Sequence, residues 1–261
     1  MNEQDVAALR AAVEALEHPG LAARLSNMAG KPIELIGSVL PAPASELIAA
    51  TTTKALTAAV QVAIRTMRPD SQAAGGDRLH KVLAVASGAA GGAFGLASLP
   101  VELPVSTVII LRSIADIARR EGENLSDPEA ALNCVQVFAL GGRSGSTDAS
   151  ESGYLAIRGA MAKSVTEAAR YIAERSAVEG GGPILVRFIS QVAARFGVVV
   201  TQKIAAQAIP VVGALGGAAV NYVFVEHFQS IAQGHFTVRR LERAYGKDLV
   251  AAEYRRIAAE A

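Results

Sequence analysis

Glu226, His227 and His235 stand close together late in the chain, in the run EHFQSIAQGHF. Imidazole and carboxylate groups bind divalent metals and move protons, so this trio raises both possibilities. The spacing argues against a metal. Eight residues separate the histidines, more than two helical turns, and Gly234 lies between them. No HExxH pattern occurs, and Cys134 is the chain's one cysteine. No metal and no cofactor is expected, and a histidine hydrogen-bonded near a helix end is the plainer reading.

Two further groups of charges share helix faces. In VSTVIILRSIADIARREGE, Arg112, Asp116 and Arg120 fall within an arc of about 80°, with one residue every 100°. An ion-pair ladder on a solvated face is one reading, worth about 0.3–0.5 kcal/mol per pair. A polar pocket is the other, with Glu102 just before the helix, near its positive N-terminal end. Glu151, Tyr154 and Arg158 also share a face, at steps of three and four. Tyr154 begins an apolar stripe, so Arg158 sits at the edge of that stripe and needs a carboxylate or a wet cavity. Together Glu102, Arg112, Asp116, Glu151, Tyr154, Arg158, Glu226, His227 and His235 form a candidate polar site. The chain carries no GxSxG, Walker A, GxGxxG or SxxK pattern, which lowers the case for an enzyme. Catalytic residues stay unassigned.

The elements that must hold these residues are helical. Val6, Leu9, Val13 and Leu16 recur at helical steps until His18-Pro19-Gly20. A short element covers Ile33 to Leu40, and Ser45 is placed to cap a helix to Met67. Pro104 suits the first turn of a helix ending at Gly122, and Ser126-Asp127-Pro128-Glu129 reads as a capping box. Tyr154, Ile157, Met161, Val165, Ala168 and Ile172 form one stripe. Further helices are expected over Ile184 to Phe196, Val198 to Ile209 and Val211 to Gln233, then one after Gly234 carrying Arg239, Arg240 and Arg243. No segment alternates with a period of two. The expected fold is all-α, a single compact multi-helix domain with two buried glycine-rich apolar helices.

Those two segments are Val82 to Val101 and Ile204 to Val225, both uncharged. Gly88/Gly92, Gly91/Gly95 and Gly213/Gly217 lie four apart, one turn, so each pair makes a strip that another backbone can approach. A glycine inside a helix costs about 1 kcal/mol relative to alanine, so close packing must offset it. The segments are long enough to span a bilayer. Their many small side chains, Gln207, Pro210 and Asn221, and the lack of an aromatic belt favour a soluble core, with reversible insertion and a permanent span as alternatives.

Hydrophobic residues make up 51% of the 261-residue chain and charged ones 19%, which is greasier than the roughly 25% charged of an ordinary domain. Lys plus Arg is 25 and Asp plus Glu is 24, so no positive field attracts nucleic acid. A single cysteine fits a reducing compartment. The first residues, MNEQDVAALR, lack the features of a signal peptide. A cytoplasmic location is expected.

Four stretches together resemble the EcsC protein family: Leu99 to Ala130, Val137 to Gly142, Glu151 to Lys163 and Arg195 to Gly246. LPVELP with LRSIADIAR, and PVVGALGGAAVN with the later GHF and RRLE, are specific in combination. Glu226 stands where the family pattern has Asp, and Leu155 where a second tyrosine is common. The resemblance runs from about residue 80 to 250, and residues 1–75 carry little of it. On that basis 1–75 form a variable N-terminal helical segment, 76–250 the EcsC-like domain and 251–261 the end of the last helix. The family is named from a bacterial operon whose other products form an ABC transporter. The resemblance therefore implies a bacterial, intracellular protein connected with the membrane and hands over no reaction. The expected function is that of a membrane-associated or lipid-binding accessory to transport or secretion, peripheral at the inner face of the cell membrane. A soluble interaction or oligomerisation module is the alternative, and a hydrolase with an acidic/His site the second. Expected partners are membrane lipid, a membrane transporter or a second copy of the chain.

Overall fold

Helical spacing in the sequence becomes nine helices and no strand among the described residues of the computed structural model, which are 1–17, 20–29, 41–66, 98–142, 153–174, 182–207 and 213–260. The helices are α1 (Glu3–Glu17), α2 (Leu21–Ala29), α3 (Ala42–Thr66), α4 (Leu99–Arg120), α5 (Pro128–Leu140), α6 (Gly153–Glu174), α7 (Pro183–Gln207), α8 (Gly213–Tyr245) and α9 (Lys247–Glu260). The longest, α8, packs on α1, α2, α4, α5, α7 and α9. Every residue of α5 from Ala130 to Leu140 is buried, which suits a helix apolar on all sides. Its Phe138 meets Phe196 of α7 and Phe228 of α8, with ring centroids 4.9 and 5.2 Å apart, and Phe224 joins 5.2 Å from Phe228. Tilted and edge-on aromatic pairs of this kind add about 0.5–1.5 kcal/mol each beyond area burial. Leu9, Leu16, Leu56 and Val60 from residues 1–75 belong to the same continuous core as the later helices. The body is one compact domain.

Local signals settle several ends. Asp127, extended at φ −76° and ψ 122°, caps α5 by accepting from the Glu129 N–H at 2.9 Å, with Pro128 following. The cap is therefore Asp127, and Ser126 does not serve. After α4, Gly122 takes φ +81°, its N–H bonds Arg119 O and the Glu123 N–H bonds Ala118 O, which is a Schellman closure. The expected start at Pro104 is corrected: α4 begins at Leu99, Pro100 occupies the first turn and Pro104 lies inside the helix. Likewise α3 begins at Ala42, where Pro41 O receives the Ala44 and Ser45 N–H groups.

Gly197 and Gly234 break nothing. α7 and α8 run through them because packing outweighs about 1 kcal/mol of propensity. Ile204 to Val225 divides between the end of α7 and the start of α8; Gly213 opens α8 and Gly217 is buried. Gly88, Gly91, Gly92, Gly95 and the element at Ile33 to Leu40 lie outside the described residues. Among the described residues, close helix approach occurs at Gly234 and Gly141. A Cβ on Gly234 would meet Leu16 Cγ at 2.8 Å and Ala12 O at 3.1 Å. One on Gly141 would meet Phe228 at 2.6 Å.

Candidate functional site

Arg158 and Tyr154, one turn apart on α6, face His235 and Glu242, two turns apart on α8. Arg158 donates two hydrogen bonds to Glu242, at 2.7 and 2.6 Å, and a longer one to the Tyr154 hydroxyl at 3.4 Å. That hydroxyl lies 2.9 Å from His235 Nδ1. A guanidinium only donates, so the tyrosine oxygen accepts from Arg158 and sends its own proton to Nδ1. This arrangement places the imidazole proton on Nε2, which has no hydrogen-bond partner among the described residues. Burial holds the His235 pKa well below 6.5, and the Arg158 and Arg239 charges press the same way. Burial also pushes Tyr154 up to about 12. The histidine is neutral and the phenol protonated at ordinary pH. The group is sealed by Tyr254, whose ring centroid lies 5.4 Å from that of Tyr154 and whose hydroxyl donates to Glu17 at 2.9 Å. It is a clamp between α6 and α8.

Glu102, in the first turn of α4, sits elsewhere. It accepts from Lys203 Nζ of α7 at 2.6 Å, and the two side chains are 6% and 1% exposed. Lys203 also lies 4.9 Å from the Phe224 ring centroid. Burial lowers the Lys203 pKa and the Glu102 charge opposes that shift. Breaking such a pair strands a charge in an apolar core.

His227 has a third setting. Its Nε2 lies 3.1 Å from Gly141 O at the end of α5. A carbonyl only accepts, so Nε2 carries the proton. Burial lowers this histidine to about 4, partly opposed by the bond to Gly141. Glu226, its sequence neighbour, points away and pairs with Arg24 of α2. Asp116 pairs with Arg119 at 3.0 Å, and its main-chain carbonyl accepts from Arg120 Nε at 3.3 Å. Arg112 is exposed. Glu151 lies outside the described residues. Of the candidate residues, Tyr154, Arg158 and His235 come together, whereas Glu102, Arg112, Asp116, Glu226 and His227 occupy separate places. Among the described residues no three His, Cys, Asp or Glu side chains are grouped to hold a metal ion. Cys134 is buried in α5, and burial raises its pKa, so the thiol stays protonated.

The model of the EcsC protein family matches residues 3–241. The chain belongs to the EcsC protein family. No curated protein and no solved structure matches it. The family match takes in the N-terminal helices, beyond the stretches whose motifs carry the resemblance.

Several structural polar residues of this EcsC-family chain escape a motif search. Glu123 is held by Arg239, at 2.8 and 3.1 Å, and by Arg243. Burial pushes its carboxyl up, but the two guanidiniums outweigh burial and hold it below its ordinary value. Arg240 bridges Glu121 at 2.9 Å and Asp5 at 3.1 Å. The Schellman turn at Gly122 aims both glutamates at α8, so a local closure positions a long-range network. The signal for Lys203 was in the sequence, where it is the only charge between Arg195 and Glu226. Glu242 was marked by lying seven residues, two turns, after His235.

Proposed function

We propose that this EcsC-family chain is a peripheral membrane accessory: a helical body that associates with lipid at a membrane surface in support of transport or secretion. One observation carries the reading. Among the described helices, α3 over Ala42–Ile64 and α7 over Pro183–Gln207 are long and apolar enough to cross a membrane by length and composition. They pack against each other, and less than half of each stretch is buried; α7 exposes Ile184, Val186 and Val198, whereas the exposed positions of α3 are small or polar. A core helix of a water-soluble body with this composition is mostly buried. The first turns of α4, which also packs on α3, expose Val101 at 71% and Val105 at 48%. The link to transport rests on the operon that names the family.

Liposome flotation of the purified chain tests the proposal. Protein rising with vesicles supports it, and protein remaining at the bottom of the gradient with every lipid composition refutes it. The exposed valines of α4 also favour a second reading, in which the surface seats a transporter subunit or a second copy of the chain. Light scattering and capture by the transporter subunits separate that case. A hydrolase would draw on Glu102, Asp116, Glu226, His227 or His235, with at least two of them converging on one space. Their separate settings, with Glu102 and Glu226 in ion pairs and His227 bonded to a carbonyl, lend it no support.

A further inference from the structure

We infer that α7 is the lipid-contacting element, that it lies in the plane of the membrane surface without crossing, and that it selects anionic lipid. This rests on the membrane-surface reading above. The charge pattern comes first. α7 contains Arg187, Arg195 and Lys203 and no acidic residue, and α2, packed beside it, contributes Arg24 and no acid. Lys203 is consumed by Glu102 and Arg24 by Glu226. Exposed Arg187 and half-exposed Arg195 form no ion pair among the described residues. The chain's net charge is only +1, so an acid-free pair of adjacent helices with two arginines unpaired among the described residues is a local concentration of positive charge.

The outer face of α7 supplies the apolar part. Ile184, Arg187, Ala194 and Val198 follow one another at helical steps and are exposed, with Val186 exposed beside them. Arginine on such a stripe reaches toward headgroups while its stem stays against the apolar layer. Basic residues with aliphatic neighbours suit an interfacial helix on an anionic surface.

The inner face excludes a crossing. Phe188, Val192 and Phe196 are buried, and Phe196 sits in the aromatic cluster with Phe138 and Phe228. Lys203 is fixed to α4. A spanning α7 would leave the aromatic cluster and carry a separated lysine into hydrocarbon, where a charge is costly. Contact through the outer stripe costs neither.

The test uses the full chain with vesicles of phosphatidylcholine alone and of phosphatidylcholine with phosphatidylglycerol. Binding is expected to require the anionic lipid and to fall as salt rises. Arg187→Gln should weaken partitioning roughly fivefold, the worth of one basic residue at an anionic surface. Arg255→Gln, on the exposed face of α9, removes the same charge and should leave binding unchanged. The chain has no tryptophan, so Val198→Trp provides a single fluorescent reporter, expected to be quenched by lipids brominated near the headgroup end of the acyl chain. Circular dichroism and the thermal midpoint confirm that each variant folds. Equal binding to both vesicle types, equal effects of Arg187→Gln and Arg255→Gln, or an unquenched reporter on bound protein would each overturn the inference while leaving membrane association standing. No binding to any vesicle defeats membrane association itself.

Discussion

Replacing His227 with glutamine should remove much of the chain's sensitivity to acid. In the fold, burial between the end of α5 and the middle of α8 lowers this histidine from 6.5 to about 4. An unfolded chain returns it to 6.5, so at mildly acidic pH the unfolded state binds the extra proton. The native advantage is whole above pH 6.5 and shrinks as pH falls toward 4. Proton linkage at about 1.4 kcal/mol per pH unit gives a loss of about 2 kcal/mol by pH 5 and roughly 3 kcal/mol below pH 4. His235, buried and also shifted down, adds a loss of the same sign. Urea denaturation at pH 7, 6 and 5 measures the slope. Glutamine retains an N–H donor for the Gly141 carbonyl and does not titrate. Its variant should start lower by about 1 kcal/mol at pH 7, from the altered hydrogen bond and packing, and should lose about 2 kcal/mol less than the native chain by pH 5. An NMR titration in which the His227 ring protonates near pH 6.5, or a variant with an unchanged acid slope, refutes the reasoning.

Lys203→Met should destabilise the chain by about 3–5 kcal/mol in denaturant unfolding, because Glu102 is left charged in the core. The double variant Glu102→Gln/Lys203→Met should recover most of that loss. Glu242→Ala strands the Arg158 guanidinium and should cost about 3 kcal/mol by the same measurement. Gly234→Ala places a Cβ 2.8 Å from Leu16 Cγ and 3.1 Å from Ala12 O, so overpacking should exceed the gain in helix propensity and lower the thermal midpoint. Gly159→Ala, with nothing within 4 Å of the added carbon, should raise stability by up to about 1 kcal/mol.

Much of the fold was legible because helices are written in local spacing. The stripe from Tyr154 through Met161, Val165 and Ala168 is the buried face of α6. Gly122 ends α4 as read, and Pro128 opens α5 beside its Asp127 cap. The motifs also identified the family. The sequence misplaced breaks at Gly197 and Gly234, since one glycine weakens a helix without ending it: Leu16 and Ala12 cover Gly234, and the buried Phe196, Val199 and Val200 hold the helix around Gly197. It left Arg158 needing a carboxylate or a wet cavity; the partner is Glu242, 84 residues away, and local spacing does not record which carboxylate arrives.

Residue order alone determined the helical class, the closure at Gly122 and the amphipathic faces, since each follows from interactions within a few residues. Tertiary packing alone decided the charge partners: Lys203 with Glu102, His227 with Gly141, and the arginines of α8 with the turn after α4. It also decided that Gly141 and Gly234 are points of close approach. Those outcomes depend on which surfaces meet after collapse, when burial makes an unpaired charge or an extra methyl costly.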